Sequence, residues 1–186
     1  MSIGARVVSA IRKPPIESAK PEARAKADEF LDYVRHRLFP KDLYECLHHT
    51  PDRATARKNQ ATSARNPDLQ LRSKGTGRIF WVATMFCRDF RSDFVEWCAI
   101  SQFLRYEETD KAVPVFIAIG MGANPGKPER VYVAPMRHLL YNCLHRSFLR
   151  KYETHTDHPI DNWQMARMLP LQSKEPAQPP ARKQRQ

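Results

Sequence analysis

Residues 66–86 read NPDLQLRSKGTGRIFWVATMF and carry the clearest structural signal in the chain. Leu69 and Leu71 alternate with polar residues, as in a strand with one buried face. Residues 73–77 supply glycines and small polar side chains that are typical of a turn, and residues 79–86 are almost wholly apolar. The pattern predicts a β-hairpin with a buried second strand, directly after the Pro-Asp dipeptide at residues 67–68.

The sequence on either side of the hairpin predicts helices and two further strands. Apolar residues at three- and four-residue spacing indicate helices, and two short apolar runs separated by a Gly/Pro-rich stretch indicate buried strands. The predicted helices cover residues 21–38, 94–106 and 137–149, and the predicted strands cover residues 113–119 and 131–133. This order favours an α/β (α+β) fold, with a mixed central sheet flanked by helices.

Length and composition favour one domain. The chain has 186 residues, of which 41% are hydrophobic, and a formal charge of +11. That is too apolar for a wholly disordered chain, and no apolar run is long enough to span a bilayer, so no membrane partner is expected. We expect a flexible basic segment over residues 1–21, a domain over residues 22–172 and a disordered, basic, Pro-rich tail over residues 173–186. Four separate cysteines without a C-x-x-C pair favour reduced thiols and a cytoplasmic location.

Metal-dependent cleavage of phosphodiesters needs a particular arrangement of acids. A carboxylate from one strand and a second acid from the next strand hold Mg²⁺, and a lysine two residues after the second acid positions the attacking water. The spacing of two matters because alternate residues of a strand face the same side.

The order of helix, Pro-Asp, hairpin, helix and strand resembles the core of the PD-(D/E)xK, or restriction-endonuclease-like, superfamily, and in particular a group of small bacterial proteins within it. The residues that carry the resemblance are 30–34 (FLDYV), 38–40 (LFP), 66–69 (NPDL), 80–86 (FWVATMF), 102–106 (QFLRY), 114–117 (PVFI) and 128–135 (PERVYVAP). The resemblance covers most of residues 27–136. It implies a restriction-endonuclease-like αβββαβ core and a nucleic-acid groove beside the family's active site.

The chain departs from the family at its catalytic positions. Alignment of the Phe-x-Val frame places Ala83 where the family has its second acid and Met85 where it has its lysine. Leu31 stands where the first helix often carries a glutamate. Asp68, which matches the family's first acid, is the only one of these positions that is still acidic. The resemblance therefore implies a catalytically degenerate nuclease fold that needs no cofactor, with Mg²⁺ as the expected cofactor only if activity remains.

Two alternatives stay open for these acids. In this superfamily a catalytic group can migrate to the following helix, so Asp93 or Glu96 could replace the second acid, with Arg88 or Arg91 as the cation. Alternatively, Asp68 caps a turn, because aspartate readily hydrogen-bonds to neighbouring backbone amides.

Basic residues are concentrated around the expected groove. Residues 50–91 hold nine Lys and Arg and three Asp. We interpret the following as candidate nucleic-acid-binding residues: Arg65, Arg72, Lys74, Arg78, Arg88 and Arg91. Gln102, Arg105 and Tyr106 share a helix face that borders the active site in the family, which implies a supporting role; the alternative is a Gln–Tyr pair that is hydrogen-bonded in the core.

Three functional hypotheses follow from the sequence. The first is a nuclease-fold protein without catalysis that binds nucleic acid, DNA in the first place, or assists a DNA-processing system. The second is an active metal-dependent endonuclease with a migrated acid. The third is a protein-interaction module, as a homodimer or with a partner protein, that uses the Ala83/Met85 face and the Pro-rich tails.

Overall fold

A six-stranded mixed sheet forms the centre of the structure, a computed structural model that describes residues 21–49 and 66–168. In spatial order its strands are β1 (Tyr44–His49), β2 (Leu69–Ser73), β3 (Ile79–Cys87), β5 (Val115–Met121), β6 (Arg130–Pro135) and β8 (Glu153–Thr154). β1, β2 and β3 form an antiparallel meander, β5 runs parallel to β3, and β6 and β8 continue antiparallel. A smaller sheet pairs β4 (Phe94–Glu96) with β7 (Cys143–His145).

Helices cover both faces of the large sheet. They are α1 (Pro21–Tyr33), which continues into a π-helical turn (Val34–Leu38), α2 (Ile100–Ala112), α3 (Arg146–Leu149) and α4 (Asn162–Met168), with 3₁₀ turns at Met136–His138 and Arg150–Tyr152. Helix α2 lies between β4 and β5 in the chain, and it therefore belongs to the crossover that makes β5 parallel to β3. The described residues contain no helix long and apolar enough to cross a membrane.

Strand β3 separates two hydrophobic cores. Phe80 and Val82 pack with Phe30 of α1 on one face, in what we call the α1-side core. Trp81 and Ala83 pack with Phe103 of α2 on the other face, in the α2-side core. This alternation follows from the two-residue period of a strand, and apolar residues on both faces are expected in a strand that is covered on both sides. The prediction of a mixed sheet flanked by helices is confirmed.

The first helix approaches the sheet so closely that one position must be glycine. Phe30 is fully buried, and its ring lies against the backbone of Gly120 in β5. A β-carbon at position 120 would lie 2.2 Å from Cε2 of Phe30. No atom pair tolerates that separation, so Gly120 is what allows α1 to pack at this distance.

Two predicted helices are wrong in part. Within residues 94–106, the first three form β4 and the helix starts only at Ile100. Within residues 137–149, only Arg146–Leu149 is α-helical, and the preceding residues form the end of a 3₁₀ turn, an irregular stretch and β7. Val95 pairs with Leu144 between these strands, so a tertiary contact overrides the local spacing. The predicted hairpin and the strands at residues 113–119 and 131–133 are confirmed.

Both basic ends and part of the basic region lie outside the described residues. The proposed segments 1–21 and 173–186 fall almost wholly there, as does Arg65. Residues 21–49 and 66–168 hold 19 Lys and Arg and 17 Asp and Glu, a net charge of +2, so +9 of the chain's +11 belongs to the rest of the sequence. The described domain is therefore close to neutral.

Candidate functional site

Beyond the Leu69–Val82 pair, strands β2 and β3 separate, and the Asp68 side chain bridges them by bonding to Thr84. We call this bridged gap the Asp68–Thr84 fork, and the end of the sheet where it lies the fork end. The antiparallel ladder between these strands ends at the Leu69–Val82 pair, because β2 begins at Leu69. The next amide of β3 on this side belongs to Thr84, and the Oδ2 atom of Asp68 accepts its N–H at 2.6 Å. The same oxygen accepts the Thr84 hydroxyl at 2.9 Å.

These two bonds give Asp68 a structural role at the position that the resemblance aligns with a metal-binding acid. The partner lies sixteen residues away, so the carboxylate joins two strands. Hydrogen bonds to an ionised carboxylate are stronger than neutral ones, and an unpaired strand amide at a partly buried position is costly. The Asp68–Thr84 fork is thus the most specific polar arrangement among the predicted site residues.

We expect Asp68→Ala to lower the free energy of unfolding by about 1–3 kcal/mol, because it leaves the Thr84 amide and hydroxyl without their acceptor. Asp68→Asn keeps an acceptor oxygen of the same shape and is the matched control, with an expected loss of less than half as much. Urea denaturation of the three proteins measures both values. An Asp68→Ala protein as stable as wild type would show that the fork bonds contribute nothing.

The positions predicted for the lost acid and lysine lie elsewhere on β3. Ala83 is only 3% exposed and belongs to the apolar core under α2, and Met85 packs against the same core. A carboxylate at position 83 would be surrounded by apolar side chains, where an unpaired charge is strongly disfavoured. The β3 residue that touches the Asp68 carboxylate is Thr84, which lies between the two aligned positions.

The structure places the alternative acids outside the fork. Glu96 lies on the exposed side of β4 in the small sheet. Asp93 precedes this strand in the left-handed region (φ 64°), and its carboxylate lies 3.4 Å from the Nε atom of Arg146. Leu31, at the position of the family's helical glutamate, packs against the α1-side core. Within residues 21–49 and 66–168, no group of three or more His, Cys, Asp or Glu is placed to hold a metal ion.

The candidate nucleic-acid-binding residues divide between the two ends of β3. Arg78 precedes the strand and Arg88 follows it, so at about 3.3 Å per residue their backbones lie roughly 30 Å apart. Arg72 and Lys74 lie at the Arg78 end, in β2 and the hairpin, whereas Arg91 lies at the Arg88 end. The described part of the set therefore forms two basic groups, of which the Arg88 group is at the end nearer to the fork.

Neighbouring charges modify the two groups differently. The Arg72 guanidinium forms a 2.8 Å ion pair with Glu45 of β1. Partial burial and, to a lesser extent, the positive charge of Arg137 lower the pKa of Arg78. Arg88 and Arg91 are exposed and, within the described residues, form no ion pair.

A second pair of arginines, Arg130 and Arg146, lies near the fork end and was not predicted from the sequence. Arg130 of β6 and Arg146 of α3 both lie over the Phe90 ring, at 5.7 and 4.8 Å from its centroid. Asp89 lies 3.0 Å from the Arg130 guanidinium and 3.8 Å from that of Arg146. No sequence pattern links these residues, because they come from three separate elements. Asp89 and Asp93 balance the charges of the two arginines, and these ion pairs hold the loop after β3 against β6 and α3.

The supporting residues on α2 face in two directions. Gln102 donates a 2.7 Å hydrogen bond from Nε2 to the Tyr106 hydroxyl, and Tyr106 is buried and stacked on Trp97. Arg105 is exposed, and its guanidinium bonds to the carbonyl of Ser101 one turn earlier. The geometry favours the alternative of a Gln–Tyr pair that is anchored in the α2-side core.

Comparison of the chain with protein-family models found no match, and comparisons with curated proteins and with solved structures likewise found none.

Proposed function

We propose that this chain is a restriction-endonuclease-like protein that has lost metal-dependent cleavage and binds nucleic acid, with DNA as the first candidate. The observation that carries the proposal is the Asp68–Thr84 fork. Asp68, which the resemblance aligns with the first catalytic acid, accepts hydrogen bonds from the Thr84 amide and hydroxyl with its Oδ2 atom. The apolar residues Ala83 and Met85 occupy the positions aligned with the second acid and the lysine.

The strand order supports the fold part of the proposal. An antiparallel meander of three strands is followed by a crossover containing a helix and a strand parallel to the third, with one helix before the meander. This is the order that the resemblance implies for the αβββαβ core. β6 and β8 extend the sheet beyond that core.

The charge distribution supports nucleic-acid binding at the fork end. Residues 50–65 hold four Lys and Arg and one Asp, and their flanking residues, His49 and Asn66, lie at that end because His49 pairs with Leu69. Arg88 and Arg91 lie at the same end. Cations near one surface attract phosphates by releasing condensed counterions, without any need for a catalytic metal. All four cysteines are free thiols, in keeping with a proposed cytoplasmic location.

A cleavage assay separates this proposal from an active endonuclease. We expect the wild-type protein, in excess over supercoiled and linear DNA and over RNA, to leave all of them intact with Mg²⁺ or Mn²⁺. The matched sample is Asp68→Ala, which must behave in the same way. Cleavage by wild type that Asp68→Ala abolishes would establish the active nuclease and overturn the proposal.

An exposed apolar patch favours protein interaction as a second candidate function. Ile100 and Leu104 of α2 and Leu140 and Tyr141 of the segment before β7 are each more than half exposed, and a hydrogen bond from Asn142 to the Cys98 carbonyl joins the two segments. The Ala83/Met85 face cannot serve this purpose as predicted, because α2 covers Ala83. Sedimentation of wild type and of Leu104→Ser tests the patch, and a monomer at all concentrations would exclude a homodimer.

A further inference from the structure

A pocket of about 310 Å³ lies beside β1, the edge strand of the large sheet. It is lined by Arg35, Phe39, Lys41, Tyr44, Glu45, Cys46, Leu71 and Lys74. The β2 part of its lining starts at Leu71, three residues after Asp68, so the pocket begins about 10 Å from the Asp68 backbone along β2. Its volume is at the lower end of the range for small-ligand sites and fits a ligand of the size of one nucleotide.

Three cations around this pocket carry no ion pair within the described part of the chain. Arg35, Lys41 and Lys74 form no ion pair with any residue in the described parts of the chain. The one acid in the lining, Glu45, is already held at 2.8 Å by Arg72. Charges of one sign that converge on a concave surface raise the local concentration of an oppositely charged ligand.

The backbone around the pocket is built in an uncommon way. Arg35 lies on the π-helical turn Val34–Leu38, which closes with a 2.9 Å bond from the Phe39 amide to the Val34 carbonyl. Such wide turns are rare and are frequent at functional sites. Tyr44 forms part of the wall and is fixed by a 2.7 Å bond from its hydroxyl to the Ile160 carbonyl. The pocket therefore combines a rigid apolar wall with cations on three separate segments.

We propose that this pocket binds a single nucleotide unit of a nucleic-acid strand. Arg35, Lys41 and Lys74 hold its phosphate, and the apolar wall formed by Phe39, Tyr44 and Leu71 accepts the less polar part of the nucleotide. The proposal deepens the nucleic-acid binding proposed above and rests on it for the source of the ligand. A free nucleotide offers the same chemistry, and the experiment below distinguishes the two sources.

Cys46 provides a direct readout, because its exposed thiol lines the pocket. Cys143 is also exposed and lies in the small sheet, so it is an internal control in the same sample. Burial raises the pKa of Cys87 to about 11 and that of Cys98 to about 12. At pH 8 the thiolate fraction of Cys87 is about one in a thousand, so alkylation by iodoacetamide is confined largely to the two exposed thiols.

The experiment measures alkylation at Cys46 and Cys143 by peptide mass spectrometry, with thymidine 5′-monophosphate, inorganic phosphate, thymidine or a 5′-phosphorylated oligonucleotide as the probe. At five times the dissociation constant, thymidine monophosphate and the oligonucleotide are expected to slow Cys46 alkylation about sixfold and to leave Cys143 unchanged. Anisotropy of the labelled oligonucleotide records binding anywhere on the protein.

The variant Arg35→Gln/Lys41→Gln/Lys74→Gln is expected to raise the dissociation constant at least tenfold, roughly the loss of one or two charge-assisted hydrogen bonds. The same ligand concentration should then slow Cys46 alkylation by no more than about 1.5-fold. The control Lys111→Gln/Lys127→Gln/Arg150→Gln removes the same charge from exposed side chains outside the pocket and should retain full protection.

The outcomes separate the pocket from the proposed function. If the oligonucleotide binds but neither it nor the mononucleotide protects Cys46, nucleic-acid binding stands and the pocket proposal is overturned. Protection that persists in the pocket variant, or equal protection by thymidine, also overturns it. Protection by the mononucleotide alone identifies a free nucleotide as the source and contradicts the proposed strand ligand. If the oligonucleotide does not bind at all, the proposed function fails.

Discussion

Phe30→Ala is expected to lower the free energy of unfolding by about 3–5 kcal/mol, because it removes a fully buried ring from the centre of the α1-side core. The ring contacts the rings of Tyr33 and Phe86 and fills the space over Gly120, so its loss opens a cavity that the sheet cannot close. Phe94→Ala, at a ring that is 47% exposed, is the matched control and should cost less than about 1 kcal/mol. Urea denaturation measures both changes.

The contact between Phe30 and Gly120 gives a second test by a double-mutant cycle. Gly120→Ala alone should cost about 1–3 kcal/mol, since its methyl group overlaps a buried ring that has no room to move. In the Phe30→Ala background the same substitution should cost little, because the cavity accepts the methyl group. Equal costs in the two backgrounds would mean that α1 does not pack on β5 as described.

Binding to duplex DNA is expected to fall roughly 100-fold between 50 and 200 mM salt, the change that follows from about four phosphate contacts. The fork end is the expected contact surface, so Arg88→Gln/Arg91→Gln should reduce the slope of log K against log salt by about 2. The control Lys111→Gln/Arg150→Gln removes equal charge and should leave the slope unchanged. Fluorescence anisotropy at four salt concentrations gives the slopes. A wild-type affinity that does not respond to salt would contradict electrostatic binding.

The hairpin and the buried strand β5 were predictable from sequence because apolar alternation and turn residues specify them locally. β4 and β7 were not, since each has only three residues and gains its hydrogen bonds from the other. The same reasoning explains the helix that starts late. Asp93 and Ser92 adopt positive φ values, which a helical spacing pattern does not reveal.

The candidate site was predictable in its identity but not in its geometry. The Pro-Asp dipeptide drew attention to Asp68, yet the partner of the carboxylate is decided by where the β2–β3 ladder ends, and that depends on register. Ala83 and Met85 share a face by simple alternation, but only the crossover through α2 makes that face a core.

The basic residues are close in sequence, which suggested one basic region, but the structure separates them. Arg78 and Arg88 are ten residues apart, and an extended strand converts this interval into opposite ends of the sheet. In the pocket beside β1, residues that are distant in sequence lie close together. Arg35, Lys41 and Lys74 belong to three segments that the π-helical turn and the β1–β2 pairing bring together, and no spacing rule relates them.

Binding without cleavage is the central property proposed for this protein, and one titration measures it directly. Increasing amounts of the protein are added to a fluorescent DNA duplex in 50 mM salt with Mg²⁺; anisotropy records binding, and the same samples are then run on a denaturing gel. We expect saturable binding that 200 mM salt reverses, with the strands intact in every sample. Mg²⁺-dependent cleavage that Asp68→Ala abolishes, or the absence of any binding, would contradict it.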